Sequence, residues 1–111
     1  MEESANSWKP ALAEDLLLPN ASARVELDGH AYALYNLDGR LYCTDDRCTH
    51  QEASLADGDL DERRCAIECP LHGSAFELTT GNVLSLPATE PVATYPVRVV
   101  DGTIEVAVHG S

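Results

Sequence analysis

CTHQEASLADGDLDERRCAIECPLHGSAF, from Cys48 to Phe76, holds two short mixed clusters, Cys48-Thr49-His50 and Cys69-Pro70-Leu71-His72. Each pairs a thiolate donor with an imidazole donor, and 18 residues separate His50 from Cys69. Two Cys and two His suit a binuclear 2Fe–2S centre, with both thiolates on one iron and both imidazoles on the other. The same set suits tetrahedral zinc, but zinc modules usually pair like with like, as C-x2–4-C and H-x3–5-H. Here each pair is mixed, and a single residue, Thr49, lies between the first two donors. A binuclear cluster must be gripped from two sides, and one Cys with one His per loop does that. The spacing therefore favours iron–sulfur over zinc. A third reading, ordinary buried Cys and His, requires all four to fall into two compact clusters by chance.

Outward from this stretch the chain reads as strands and turns. Arg24-Val25-Glu26-Leu27 alternates polar and apolar and runs into Asp28-Gly29; Tyr32-Ala33-Leu34-Tyr35 leads to Asp38-Gly39, followed by Leu41-Tyr42-Cys43. Near the end, residues 95–100, Asp101-Gly102 and Ile104 to Val108 repeat the pattern. Asp-Gly between alternating runs is a strong hairpin signal, and short strands at close spacing predict an all-β fold, an antiparallel sandwich or barrel. The segment from about 44 to 87, rich in turn residues and holding both ligand pairs, reads as a cluster-binding subdomain inserted at one end of the β body. Residues 1–7 are expected to be a flexible end, and Ala11 to Leu18 a short helical turn stopped at Pro19.

Composition bounds the function. With 111 residues the chain forms one domain with one modest core. No apolar run is long enough to span a membrane, and Met1-Glu2-Glu3-Ser4 is unlike an export signal, so a cytoplasmic protein is expected. Its 19 acidic and 7 basic residues, a net charge of −12, argue against nucleic acid or an anionic membrane as partner. A strongly acidic surface suits fast, weak, salt-sensitive docking on basic patches of other proteins, or simply solubility.

The two ligand motifs, together with Leu55-Ala56-Asp57-Gly58, Gly73-Ser74-Ala75-Phe76, Thr80-Gly81, Leu86-Pro87-Ala88 and Tyr95-Pro96-Val97, resemble the Rieske ferredoxins of multicomponent bacterial aromatic-ring dioxygenases, such as the carbazole, biphenyl and naphthalene systems. The resemblance runs from about Trp8 to about Val108. Near Asp61-Glu62-Arg63-Arg64 the chain is about two residues longer than expected, in what should be an exposed loop. The resemblance implies a Rieske fold carrying one 2Fe–2S cluster on Cys48, His50, Cys69 and His72, with a proline loop over it at Leu86-Pro87-Ala88. It also implies a monomeric one-electron carrier, passing electrons from an NAD(P)H-dependent flavin reductase to a terminal oxygenase and not catalytic alone. Docking would use the His50 and His72 edges flanked by Gln51, Leu71 and Pro87.

Two alternatives remain at this point: the Rieske-type small subunit of an assimilatory nitrite reductase, and a zinc-bound interaction module. The quinol-oxidising branch of Rieske proteins carries an extra cysteine pair and a tyrosine, where this chain has Ala53, Leu71 and Phe76. A potential toward the low end of the roughly −150 to +300 mV Rieske range follows. Gly73 is expected to let the backbone pass close to a sulfide, and Ser74 is a candidate hydrogen-bond donor to one. Cys43 and Cys65 read as small core residues, His30 and His109 as solvated, and Trp8 and the tyrosines as packing. No mononuclear iron triad and no nucleotide fingerprint accompany them.

Overall fold

A computed structural model describes residues 6–49, 53–71, 73–86 and 88–109. Three antiparallel sheets account for most of it. The first contains β1 (Asn6–Ala13), β11 (Thr103–His109) and β10 (Val97–Val100), in that spatial order. The second runs β2 (Ala21–Leu27), β3 (His30–Leu37), β4 (Arg40–Asp45) and β9 (Thr94–Tyr95). The third runs β5 (Asp59–Asp61), β6 (Ala66–Glu68), β7 (Ala75–Glu77) and β8 (Val83–Ser85), and lies in sequence between β4 and β9.

The three Asp-Gly pairs make the three hairpins. Asp28 and Gly29, Asp38 and Gly39, and Asp101 and Gly102 all have positive φ, from 50° to 94°. Two successive residues in that region are what a type I′ turn requires, and its twist matches the flanking strands.

Strand β3 shows how alternation divides the interior. Tyr32 and Leu34 face one buried cluster with Leu17, Cys43, Ile104, Val106 and Val108. Ala33, Tyr35 and Leu37 face another with Cys48, Leu55, Ile67, Cys69, Phe76 and Leu78. Successive side chains leave opposite faces of a strand, so one central strand supplies both cores. The second core therefore joins the middle sheet to the third sheet and encloses both cysteines of the ligand motifs. Tyr35 and Thr44, each fully buried in the same layer, satisfy one another by a hydroxyl hydrogen bond of 2.9 Å.

The N-terminal reading needs correction. Strand β1 starts at Asn6, where Asn6 and Ser7 pair with His109 and Val108, so these two positions are not a flexible end. Residues 1–5 lie outside the described residues. The strand continues through Leu12 and Ala13, opposite Ile104 and Thr103, and only Glu14–Leu16 forms a 3-10 turn. Pairing with β11 overrides the weak helical preference of this segment. Pro10 is tolerated because β1 is a sheet edge, and the register shifts beside it, between Pro10 and Leu12. Trp8 is half-exposed, with the Arg98 guanidinium 4.2 Å from its ring centre, a cation–π contact. His30, at the surface, bonds Asp45 Oδ1 through Nε2 at 2.5 Å.

Candidate metal centre

Three loops meet at the end of the molecule that holds both cysteines. The first follows β4. Arg47 and Ser54 form an isolated antiparallel bridge, and the Cys48 N–H donates to Ala53 O at 3.0 Å, so the described residues on the two sides of this loop pair with each other. The second is the β6–β7 connection. Cys69 N–H donates to Ser74 O at 2.7 Å and Gly73 N–H to Cys69 O at 3.2 Å, closing a tight loop over residues 69–74. Gly73 has φ +75°, a left-handed conformation that glycine adopts at least cost. A Cβ there would meet no described atom nearer than Glu68 Oε2 at 3.8 Å. Turn conformation, not crowding by protein, is therefore the visible reason for this glycine.

A hydroxyl from each of these two loops pins the third segment, residues 86 and 88–93. Ser74 Oγ accepts the Ala88 N–H at 2.9 Å, and the Thr49 hydroxyl donates to Glu90 O at 2.8 Å. Further along, Val92 N–H donates to Gly81 O at 2.9 Å and Asp45 N–H to Ala93 O at 3.0 Å, anchoring the segment back to the body. Leu71 on the second loop and Leu86 on the third are 56% and 74% exposed, large apolar side chains left at the surface.

Cys48 and Cys69 are each 2% exposed and share one buried cluster although they come from different loops. Two soft donors brought together from separate loops fit an iron–sulfur cluster, which thiolates hold. His50, His72 and Pro87 lie outside the described residues, as do Gln51 and Glu52. Ser74 and Phe76 are fully buried. Cys43 is set apart: it belongs to the other core, where burial first and then the charge of Asp45 push its thiol up, keeping it neutral. Cys65 is only half-buried, at φ +53°, and its carbonyl accepts Leu78 N–H at 2.8 Å. The loop at residues 61–64 is largely exposed, as expected, and is closed by Asp61, whose carboxylate accepts both backbone N–H groups of Arg63 and Arg64 and the Arg64 Nε–H.

Sequence reasoning passed over two residues that shape this end. Thr49 stood in plain view between Cys48 and His50, but its partner Glu90 is 41 residues away. Asp46, buried directly after β4, carries no sequence signal that separates it from the other acidic side chains.

The comparisons with known proteins agree with this geometry. The family model for the Rieske [2Fe-2S] domain matches residues 7–96. The 3-phenylpropionate/cinnamic acid dioxygenase ferredoxin subunit of Photorhabdus laumondii is 45% identical over 91 residues, covering 82% of this chain and 86% of that one. Among solved structures, a chain in the complex of reduced oxygenase and oxidized ferredoxin in carbazole 1,9a-dioxygenase superposes with a TM-score of 0.84 at 37% identity, covering 94% of this chain and 95% of that one. A protein assigned as the NADH-dependent nitrite reductase small subunit of Mycobacterium tuberculosis gives a TM-score of 0.85 at 30% identity, covering 96% and 98%.

Proposed function

The chain belongs to the Rieske [2Fe-2S] domain family, and on that footing we propose that it is the one-electron carrier of an aromatic-ring dioxygenase system, taking electrons from an NAD(P)H-dependent flavin reductase and delivering them to a terminal oxygenase. Its cofactor is one 2Fe–2S cluster, which decides against the zinc alternative. The observation that carries the assignment is the pair of buried cysteines, Cys48 and Cys69, presented by two loops into one core. In this reading Cys48 and Cys69 hold one iron and His50 and His72 the other. When bound, the cluster supplies a single-electron redox couple.

The chain's own residues do the rest. Leu55, Ile67, Phe76 and Leu78, all buried, exclude water behind the thiols. Ser74 uses a lone pair on Ala88 N–H, so its hydroxyl proton remains to be donated toward the cluster. Exposed Leu71 and Leu86 offer apolar contacts for a partner, and the chain's net charge of −12 steers encounter with a basic one. Among the described residues no helix is long and apolar enough to cross a membrane. We place the protein in the cytoplasm as a monomer, where thiols stay reduced.

The likeness to a nitrite reductase small subunit supports a second reading, a fixed subunit of that enzyme. Anaerobic mixing separates the two. Reduced protein added to an oxidised aromatic-ring oxygenase should be reoxidised at a second-order rate that falls steeply with salt. No transfer, with tight salt-resistant association to a nitrite reductase large subunit, would replace the first reading by the second.

A further inference from the structure

We propose that Asp46 is a positioning residue for the cluster: its carboxylate locks the first ligand loop shut and so fixes where Cys48 points. The inference rests on the reading that Cys48 is a ligand. Asp46 follows β4 directly, and its side chain is 6% exposed. Oδ1 accepts the Ser54 hydroxyl at 2.7 Å and the Ala56 N–H at 3.0 Å, while Oδ2 accepts the Arg24 Nε–H at 3.2 Å. Its backbone joins the same knot: Asp46 N–H donates to Ala31 O at 3.2 Å and Asp46 O accepts Leu55 N–H at 2.6 Å. The two described ends of this loop, at residue 46 and at residues 54–56, are thus tied to a single residue. Strand β2 braces the return from outside, through Arg24 and through the Ser22 hydroxyl on Ala56 O at 2.8 Å.

A carboxylate this buried is costly unless hydrogen-bonded, and here both oxygens are occupied. The donors it serves all belong to the far end of the loop or to β2. Between the two ends, the Cys48 N–H to Ala53 O bond and the Arg47–Ser54 bridge continue the closure toward the tip. Asp46 therefore acts on Cys48 through loop geometry.

Substitutions separate closure from charge. Asp46→Asn keeps a carbonyl oxygen for Ser54 and Ala56 but sets its Nδ2–H2 against the Arg24 Nε–H, two donors, so Arg24 must turn away and keep Glu26 Oε2, now at 2.8 Å, as its partner. Asp46→Ala leaves the Ser54 hydroxyl and the Ala56 N–H without their acceptor. Asp61→Ala removes a more exposed loop-closing carboxylate, 32% exposed, from the 61–64 loop and serves as the control.

The experiment uses the cluster-loaded proteins, challenged with an iron chelator and followed by visible absorbance, with EPR of the reduced forms and far-UV circular dichroism melts. We expect D46A to bleach about tenfold faster than wild type, the cost of orphaning buried donors, with altered EPR g-values. D46N should stay within about twofold of wild type with native g-values, because the closing acceptor survives. D61A should match wild type. Wild-type behaviour of D46A overturns the proposal. So does D46N behaving like D46A, which would make charge and not closure the cause, or faster bleaching that merely follows a lowered melt with unchanged g-values. If D46A does not fold, Ser54→Ala decides: bleaching about threefold faster with shifted g-values supports the proposal, and native behaviour overturns it. A colourless wild-type protein would instead overturn the cluster reading itself, and this inference with it.

Discussion

Ser74 Oγ accepts the backbone N–H of Ala88 at 2.9 Å, and both residues are fully buried. This bond joins the second ligand loop to the segment over it. Ser74→Ala should therefore do two separable things. Leaving the Ala88 N–H unpaired should cost about 1–3 kcal/mol of stability. Removing a donor that favours the more negative, reduced state, worth about 1 kcal/mol, should lower the midpoint by about 40 mV for a one-electron couple. Denaturant unfolding and a potentiometric titration read the two effects. Lost stability with an unchanged midpoint would show that the hydroxyl serves Ala88 alone.

The four cysteines should divide into two pairs. Cys48→Ser and Cys69→Ser should abolish the visible spectrum, since each removes a proposed thiolate ligand. Cys43→Ser and Cys65→Ser should keep it. The first of these should still cost about 1–3 kcal/mol, because position 43 is 1% exposed and a hydroxyl is poorly accommodated there. Bleaching by Cys43→Ser would show the ligand set to be wrong.

Two glycines with the same φ of +81° should respond differently to alanine. At Gly29 a Cβ meets nothing within 4 Å, so Gly29→Ala should cost only the turn conformation, about 1 kcal/mol. At Gly81 the Cβ would lie 1.9 Å from Val92 O, inside a backbone pairing that anchors the third loop. Gly81→Ala must shift that backbone and should cost about 3 kcal/mol or more. Equal losses in denaturant unfolding would contradict the close approach.

Alkali should destabilise the fold in two steps. Burial chiefly, then Asp45, raises the Cys43 thiol above its ordinary 9.0. Burial also raises the Tyr35 phenol above its ordinary 10.0, against a smaller opposing effect of its bond with Thr44. Both groups stay protonated when folded and ionise when unfolded, so above those ordinary values the unfolded chain binds fewer protons. Stability is complete below about pH 9 and falls as pH rises, by about 1.4 kcal/mol per pH unit for each group. Cys43→Ala should remove the loss between about pH 9 and 10 and leave the tyrosine's onset above it. An alkaline limb of unchanged slope would show that Cys43 is not responsible.

The parts of this fold that were legible in the sequence are those with short-range causes. Asp-Gly turns dictate positive φ locally, so the hairpins at residues 28–29, 38–39 and 101–102 could be read directly. The two Cys/His clusters are local patterns too, and of them the described structure brings Cys48 and Cys69 into one buried cluster. Strand β1 was not, because Asn6–Ala13 is held by β11, about a hundred residues later, and has no alternation of its own. Asp46 and Thr49 were missed because their roles are set by Ser54, Ala56, Arg24 and Glu90, partners that only the folded chain brings near. The left-handed φ of Gly73 is a further reason for glycine in this loop, and it shows only in the backbone angles.

One measurement tests the central claim most directly: a potentiometric titration of the purified protein followed by visible absorption and EPR. The account predicts a brown-red protein with the rhombic EPR signal of a histidine-ligated 2Fe–2S cluster and a midpoint toward the low end of the roughly −150 to +300 mV range, since Ala53, Leu71 and Phe76 stand where the high-potential branch has its extra groups. A midpoint above about +100 mV would contradict the assignment to an oxygenase-feeding carrier. A colourless protein containing zinc would contradict the electron-transfer account altogether.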